Sequence, residues 1–521
     1  MDHIYLYGPP GSGKSSVGRI LAENLNTEFV DLDEKIEEIA DAPIPQIMED
    51  WGESGFRDIE TTALKRVSKG RSKVVSLGGG ALLRAQNRTF AESRGQVICF
   101  DADLQTLLER LRADPTMRPL LAGHLETELF RLLDQRRAHY ESFELRHKVD
   151  NKTAVDVARE LQLKLGRYYV RGMGQGYDVM IQHASYERLA DLLRMSGLGP
   201  PVALVCDETV APLYGDVLMT ALRRSGYGYN RPHMITIPPG EGHKNLESIM
   251  KFWRRFLEAG LDRKSTVIAL GGGVIGDLAG FAASTFMRGV SWVNIPTTLL
   301  AMVDSSLGGK TGFDLPQGKN LIGTFFPPRL VLANPYLLAT LPVRELRCGL
   351  AEVVKHGIIA DPTLFQLCQH PLPEVKSNLL EIVRRAMAVK IQVIEADPYE
   401  RGLRASLNLG HTLGHAVESA SNFRLKHGEA IAIGLVAEAR LAERMGIAKK
   451  GLAGHIAQTL TGLGLPVEIP PTILRESIVR FMRMDKKREK GVVKFALPVD
   501  IGKVQVGVAV EDLNLVFGEN P

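Results

Sequence analysis

The 521-residue chain has only four cysteines, Cys99, Cys206, Cys348 and Cys368, far apart and with no Cys-x-x-Cys pair among them. That spacing favours buried free thiols in a reducing compartment over a disulfide scaffold or a structural zinc knuckle. No apolar run approaches the roughly 18 residues that a membrane helix needs, so neither a membrane span nor a membrane partner is expected. The amino terminus has no basic stretch, apolar core and small-residue cleavage site in succession, and a cytoplasmic protein is expected. A dominant charge sign is missing as well: 64 Lys+Arg face 60 Asp+Glu, for a net charge of +4. The most basic run, 486–490, lacks interleaved aromatics, and no nucleic-acid partner is expected.

Internal repeats and low-complexity segments are also absent. What remains is 45% hydrophobic and 24% charged, the balance of a water-soluble globular protein too long for a single core. Residues 1–166 alternate short apolar runs at 3–7, 28–31, 73–77 and 96–100 with amphipathic stretches, including a helix from Lys14 to about Leu25 and one after Thr153 ending near Leu165. That alternation predicts a parallel sheet covered by helices. Gly166, Gly172, Gly174 and Gly176 crowd the next ten residues and predict a flexible linker over 167–176. Residues 177–335 alternate again, with strands expected at 202–206, 234–237 and 266–270, and 336–521 read as helical, for example over 376–395 and 411–445. The fold class is α/β, with a helical final subdomain.

Three motifs carry chemistry. Gly8-Pro-Pro-Gly11-Ser12-Gly13-Lys14-Ser15 follows a predicted strand and opens a helix, the context in which backbone N–H groups of a P-loop point at phosphate oxygens. Lys14 would reach the outer phosphates and Ser15 would ligate Mg²⁺. Gly271-Gly272-Gly273-Val274-Ile275-Gly276-Asp277 follows the apolar run 266–270 and would let a backbone approach a pyrophosphate, as in dinucleotide sites. The third motif is Asn408-Leu-Gly-His411-Thr-Leu-Gly-His415, followed by His427-Gly-Glu429 and preceded by Ala351-Glu352-Val-Val-Lys355-His356. It suits a divalent metal, and spacing alone, four residues on one helical face, makes ligands of both His411 and His415.

From the P-loop together with Phe29-Val-Asp31-Leu-Asp33, Phe56-Arg57-Asp-Ile-Glu60 and Ser76-Leu-Gly78-Gly79-Gly80, the first 165 residues resemble shikimate kinase. The resemblance implies ATP and Mg²⁺, with Gly11, Ser12, Gly13, Lys14, Ser15 and Ser16 on the phosphates and Ser15 and Asp31 near the metal. Shikimate would be held by Asp33, Arg57, Arg136 and the backbone of Gly78, Gly79 and Gly80. Arg118 matches a lid arginine that closes over ATP. Asp31 and Asp33 equally suit capping the next helix, and in Arg136-Arg137-Ala-His-Tyr140 the segment departs from the family's usual pattern, leaving Arg137 as a substitute for Arg136.

From about residue 175 onward the chain resembles 3-dehydroquinate synthase, on the glycine and histidine motifs and on Val303-Asp304-Ser-Ser-Leu-Gly-Gly-Lys310 and Gly318-Lys319-Asn320. Resemblance implies NAD⁺ held by Asp207, Glu241, Lys244, Gly272 to Asp277, Thr297, Thr298, Lys310, Lys319 and Thr340. It also implies zinc or cobalt on Glu352, His411 and His427, with His415 left as an acid/base or substrate contact beside Lys310 and Lys355. Substrate would meet Arg288, Asp304, Lys310, Lys319, Asn320, Lys355, Lys390, Arg404, Asn408, His415 and Lys486, with Lys487 an alternative to Lys486. So many cations would repel one another if empty, which predicts a polyanionic substrate. The family further implies a homodimer formed through this half. A metal- and NAD-dependent polyol dehydrogenase is the competing reading of the second half. A nucleotide-sensing module or a purely structural partner competes for the first.

Overall fold

The computed structural model describes residues 2–113, 124–183, 188–227, 233–400, 402–485 and 493–517. The chain divides into two compact units, Met1–Tyr169 and Val170–Pro521.

In the first unit, strands β1 (His3–Tyr7), β2 (Glu28–Asp31), β3 (Lys73–Ser76), β4 (Gly95–Asp101) and β5 (Arg146–Lys148) form one sheet in the order β2-β3-β1-β4-β5. Every neighbouring pair is parallel. All five residues of β1 are buried, as a central parallel strand covered on both faces requires. Side-chain alternation sends Tyr5 and Tyr7 into one core with Val75 and Cys99, and Ile4 and Leu6 into the other with Val74 and Ile98. Helix Lys14–Asn24 starts at the carboxyl end of β1, between β3 and β4, and Gly13 caps it with a left-handed φ of 87°. Helix Ala154–Leu165 begins with a Thr153–Asp156 capping box and stops at Gly166, close to the boundaries expected from sequence.

Strand β6 (Arg167–Val170) lies within the segment read as a linker, so that stretch is not loop throughout. Beyond it, β7 (Tyr177–Ile181), β8 (Val202–Asp207), β9 (His233–Ile237), β10 (Thr266–Gly271), β11 (Ser291–Pro296) and β14 (Leu330–Ala333) run parallel in the order β7-β14-β11-β10-β8-β9. Between β11 and β14 an antiparallel hairpin, β12 (Lys310–Leu315) and β13 (Gly318–Phe325), carries Lys310, Lys319 and Asn320.

The rest is mainly helical. Helices Val343–Ala360 and His427–Arg444 are buried along most of their length, as core helices apolar around most of their circumference are. Two corrections apply to the expected helical subdomain. The pattern over 411–445 is two helices, His411–Ala420 and His427–Arg444. The chain also ends in an antiparallel hairpin, β15 (Val493–Asp500) and β16 (Lys503–Val510). Among the described residues no helix is long and apolar enough to cross a membrane.

Candidate active sites

In the first unit the P-loop glycines Gly8, Gly11 and Gly13 all adopt positive φ, and the loop closes with Ser12 Oγ donating to Pro9 O at 2.7 Å. Lys14 Nζ folds back on the carbonyls of Gly8 and Pro9 at 3.0 and 2.9 Å. Ser15 Oγ donates to Asp31 Oδ2 at 2.6 Å, so the two residues expected near Mg²⁺ touch. Asp31 also caps the next helix, accepting from the Asp33 amide at 3.1 Å, as the capping reading of this residue expects. Ser16 is exposed as the third residue of its helix. Burial, reinforced by the neighbouring Asp31 carboxylate, pushes the Asp33 carboxyl up to about 6.

Arg57 lies in contact with both Glu60 and Gly80. Arg57 Nη1 donates to both Glu60 oxygens, at 2.9 and 2.8 Å, in a buried pair, and a Cβ on Gly80 would overlap the Arg57 guanidinium. The Gly78 backbone lies against Asp33, whose Oδ1 would stand 2.9 Å from an added Cβ. Gly79 O accepts from Arg136 Nη1 at 3.0 Å, Tyr140 OH at 2.8 Å and Tyr7 OH at 3.2 Å. Arg137 instead lies exposed beside Asp134 at 3.3 Å. Arg118 falls outside the described residues.

In the second unit Glu352 is fully buried on helix Val343–Ala360. Its Oε1 stands 3.3 Å from His427 Nε2 and 3.5 Å from His411 Nε2. The ring nitrogens of His411, His415 and His427 also cluster, each offering an atom within 4.8 Å of the others. His411 Nδ1 lies 3.1 Å from Leu409 O. Since a carbonyl can only accept, Nδ1 carries the hydrogen and Nε2 faces Glu352 with its lone pair. Burial and then Lys355 hold the His411 pKa far below its ordinary value. His427 is the reverse: burial opposes its charge, but Glu352 and Glu418 outweigh it and hold the pKa up to about 10. A neutral imidazole, a carboxylate and a histidine whose proton a cation could replace make a donor set that fits a divalent metal.

The glycine motif opens helix Gly273–Thr285, placing Gly272, Gly273, Val274, Ile275, Gly276 and Asp277 around the end of β10. Lys244 joins this motif to the hairpin, pairing with Asp277 Oδ2 at 2.7 Å and donating to Asn320 Oδ1 at 2.6 Å. Burial works against the Lys244 charge, but Asp277 outweighs it and keeps the pKa above its ordinary value. Thr297 N donates to Gly271 O at 2.9 Å, and Thr298 Oγ1 accepts from Ala301 N at 3.1 Å. Asp207 Oδ1 accepts from the Thr209 and Val210 amides, both at 2.9 Å. Thr340 Oγ1 and Tyr214 OH are 2.7 Å apart.

The expectation of a self-repelling cation cluster is corrected. Lys355 pairs with Glu352 at 2.5 Å, Lys390 with Asp304 at 2.5 Å, Lys319 with Glu418 at 3.3 Å and Glu241 at 3.9 Å, and Lys310 with Glu400 at 2.7 Å. Arg404, only 2% exposed, lies 3.7 Å from the same Glu400. Burial would raise the Asp304 carboxyl, but Lys390 outweighs it and holds it well below the usual range. Arg288 is exposed at a turn where it and Met287 both have positive φ. Asn408 closes a short 3₁₀ turn just before His411. Lys486 and Lys487 lie outside the described residues.

Comparison with known proteins assigns a family to each of the two units. Residues 234–348 match the family model of the 3-dehydroquinate synthase N-terminal region and residues 349–488 that of its C-terminal region. A 3-dehydroquinate synthase of Synechocystis sp. is 44% identical over 343 residues, which cover 64% of this chain and 94% of the relative. The chain belongs to the 3-dehydroquinate synthase family. Residues 10–165 match the shikimate kinase model, so the chain is a bifunctional enzyme joining a kinase to a synthase of one pathway, and the dehydrogenase and nucleotide-sensing readings are set aside. Among solved structures it is similar to a 2-epi-5-epi-valiolone synthase from Streptomyces hygroscopicus with bound NAD⁺ and Zn²⁺, at 30% identity and a TM-score of 0.59, covering 66% of this chain and 96% of that one. It is also similar to a 2-deoxy-scyllo-inosose synthase complexed with carbaglucose-6-phosphate, NAD⁺ and Co²⁺, at 25% identity and a TM-score of 0.60, with the same coverage.

Three partners in this synthase–kinase chain were not singled out by the sequence reading. Glu418 accepts from His427 Nδ1 at 3.3 Å, and its position three residues after His415 on the same helix was the available signal. Glu60, quoted within a motif, has an orienting contact with Arg57 at i+3. Arg110 donates to Ser12 O at 3.3 Å and Val149 O at 3.0 Å, a long-range contact that spacing does not reveal.

Proposed function

We propose that the first unit transfers the outer phosphate of ATP to shikimate, giving ADP and 3-phosphoshikimate. The second converts 3-deoxy-D-arabino-heptulosonate 7-phosphate into 3-dehydroquinate and phosphate. The observation that carries the synthase reading is the convergence of Glu352, His411 and His427 beside the lysine–carboxylate pairs.

In the kinase, Lys14 and the loop amides bind the phosphates, while Ser15 and Asp31 hold Mg²⁺. Arg57, set by Glu60, and Arg136 grip the shikimate carboxylate, for which a planar guanidinium can form two parallel charge-assisted bonds. The Gly79 contact of Arg136 and the outward Asp134 pairing of Arg137 favour Arg136. Asp33 receives the acceptor hydroxyl, and the lid arginine Arg118 closes over ATP.

In the synthase, the resemblance-derived set from Asp207 to Thr340 holds NAD⁺, and Glu352, His411 and His427 hold zinc or cobalt. When bound, the two supply reversible hydride transfer and stabilisation of negative charge on oxygen. His415 moves the proton at the substrate alcohol. Lys310, Lys355, Lys390, Arg404 and Asn320 hold phosphate, carboxylate and hydroxyl groups, exchanging carboxylate partners in the protein for those of the substrate. Lys310–Glu400, with both side chains more than 40% exposed, is the pair most easily opened. We further propose a division into a kinase domain 1–166, a connection 167–176, a cofactor subdomain 177–335 and a metal and substrate subdomain 336–521. A cytoplasmic homodimer formed through the synthase half completes the reading.

The test is to supply heptulosonate phosphate with catalytic NAD⁺ and to follow phosphate together with reduced nicotinamide. Phosphate should accumulate over many turnovers per NAD while absorbance of the reduced cofactor stays flat. One reduced cofactor per product would return the second unit to dehydrogenase chemistry.

A further inference from the structure

Glu438 is fully buried on helix His427–Arg444, three turns beyond His427. Its two oxygens accept from the Gly410 amide at 2.6 Å and the Leu413 amide at 3.2 Å. These are the N-cap and third-residue amides of helix His411–Ala420, which has no side-chain cap of its own. A capping box would satisfy the same two donors with polar side chains at those positions, but Gly410 and Leu413 have none to offer. Glu438 therefore supplies both hydrogen bonds from a neighbouring helix, and leaving buried amides unpaired would be costly. One turn earlier on that helix, Gly434 packs so tightly on Gly410 O that any Cβ would overlap it. Gly410 itself holds a left-handed φ of 76°, so the turn is fixed from both sides. The residue before it, Leu409, offers the carbonyl that accepts from His411 Nδ1 and aims Nε2 at Glu352.

We infer that Glu438 is a positioning residue for the metal: by holding the Leu409–Gly410 turn it fixes the carbonyl that orients His411. It also locks the helix bearing His411 and His415 onto the helix bearing His427. This rests on the metal reading given above. Groups that orient a metal ligand at one remove typically carry about a tenfold to hundredfold share of metal affinity.

The test compares full-length wild type, Glu438→Leu and Glu438→Gln after metal removal, titrating Zn²⁺ against a competing chelator and recording the visible spectrum with Co²⁺ bound. NAD⁺ binding and thermal melting of the metal-free proteins report whether the second unit is folded. Glu438→Leu should bind Zn²⁺ about tenfold to a hundredfold more weakly and show an altered cobalt spectrum while still binding NAD⁺. Should the leucine variant fail to fold, Glu438→Gln decides, because it keeps the shape and one acceptor: weaker Zn²⁺ binding with a changed spectrum supports the inference. A lower melting temperature with wild-type affinity and spectrum would assign Glu438 a purely structural role and overturn it. Wild type that binds no Zn²⁺ or Co²⁺ would instead refute the metal reading itself.

Discussion

Lys319 and Glu418 stand 3.3 Å apart, tying the β12–β13 hairpin to the acid that accepts from His427. A candidate cofactor contact and a candidate metal ligand thus share one carboxylate. Lys319 also lies 4.4 Å from the centre of the Phe423 ring, which further fixes its direction. The arrangement explains why Lys310, Lys319, Lys355 and Lys390 need no bound anion to be stable: all four work against an acid already in place.

In the kinase unit a Cβ on Gly80 would overlap Arg57 Nη2. Gly80→Ala should push the guanidinium out of its Glu60 clamp, raising KM for shikimate by roughly tenfold to a hundredfold and leaving KM for ATP within about twofold. Steady-state kinetics with each substrate varied checks this. An unchanged shikimate KM would remove Arg57 from the acceptor site.

His3 gives the kinase unit a pH dependence. Its Nδ1 accepts from the Lys73 amide at 3.2 Å, so Nε2 carries the hydrogen donated to Ser68 O at 3.1 Å. Burial holds the pKa below its ordinary 6.5, with the Ser68 bond opposing. The unfolded chain takes up the proton before the fold does, so stability is complete above about 6.5 and falls as pH drops through the folded value. Heat inactivation of the kinase should therefore accelerate from pH 7.5 to 5, and less so in His3→Gln. Identical acceleration in both proteins would contradict this role for His3.

Removal of the histidines separates ligand from acid/base. His411→Ala should lose tight metal binding, whereas His415→Ala should retain the metal and lose turnover, because only a ligand contributes bond energy to the ion. Elemental analysis of the purified variants distinguishes them. The three imidazoles are close enough for the opposite outcome to be geometrically possible, and a metal-free His415→Ala beside a loaded His411→Ala would reverse the assignment.

Much of this architecture was legible in the sequence where one physical signal dominated. Strands such as Thr266–Gly271, buried throughout, read as short apolar runs, and helix Ala154–Leu165 was bracketed by its capping threonine and its terminal glycine. Hairpin β12–β13 is hidden because Lys310 and Gly318-Lys319-Asn320 stand out as resemblance motifs rather than as alternating strands. Hairpin β15–β16 was missed although Val504, Val506, Val508 and Val510 alternate with period two and Gly502 turns the chain with a φ of 86°. At the sites, the residue types and their families were legible. Their carboxylate partners were not, since Glu400 reaches Lys310 across 90 positions and Glu418 reaches Lys319 across 99. Charge pairing at that range is decided by the fold.

The central claim is that one chain carries two separate catalytic centres, and Lys14→Ala tests it most directly. Lys14 sits in the P-loop of the first unit, so ADP release dependent on shikimate should fall by at least roughly a hundredfold, while phosphate release from the heptulosonate phosphate stays within about twofold of wild type. Both activities are to be read on the same folded preparation. Equal loss of both, or retention of the shikimate-dependent activity, would contradict the account.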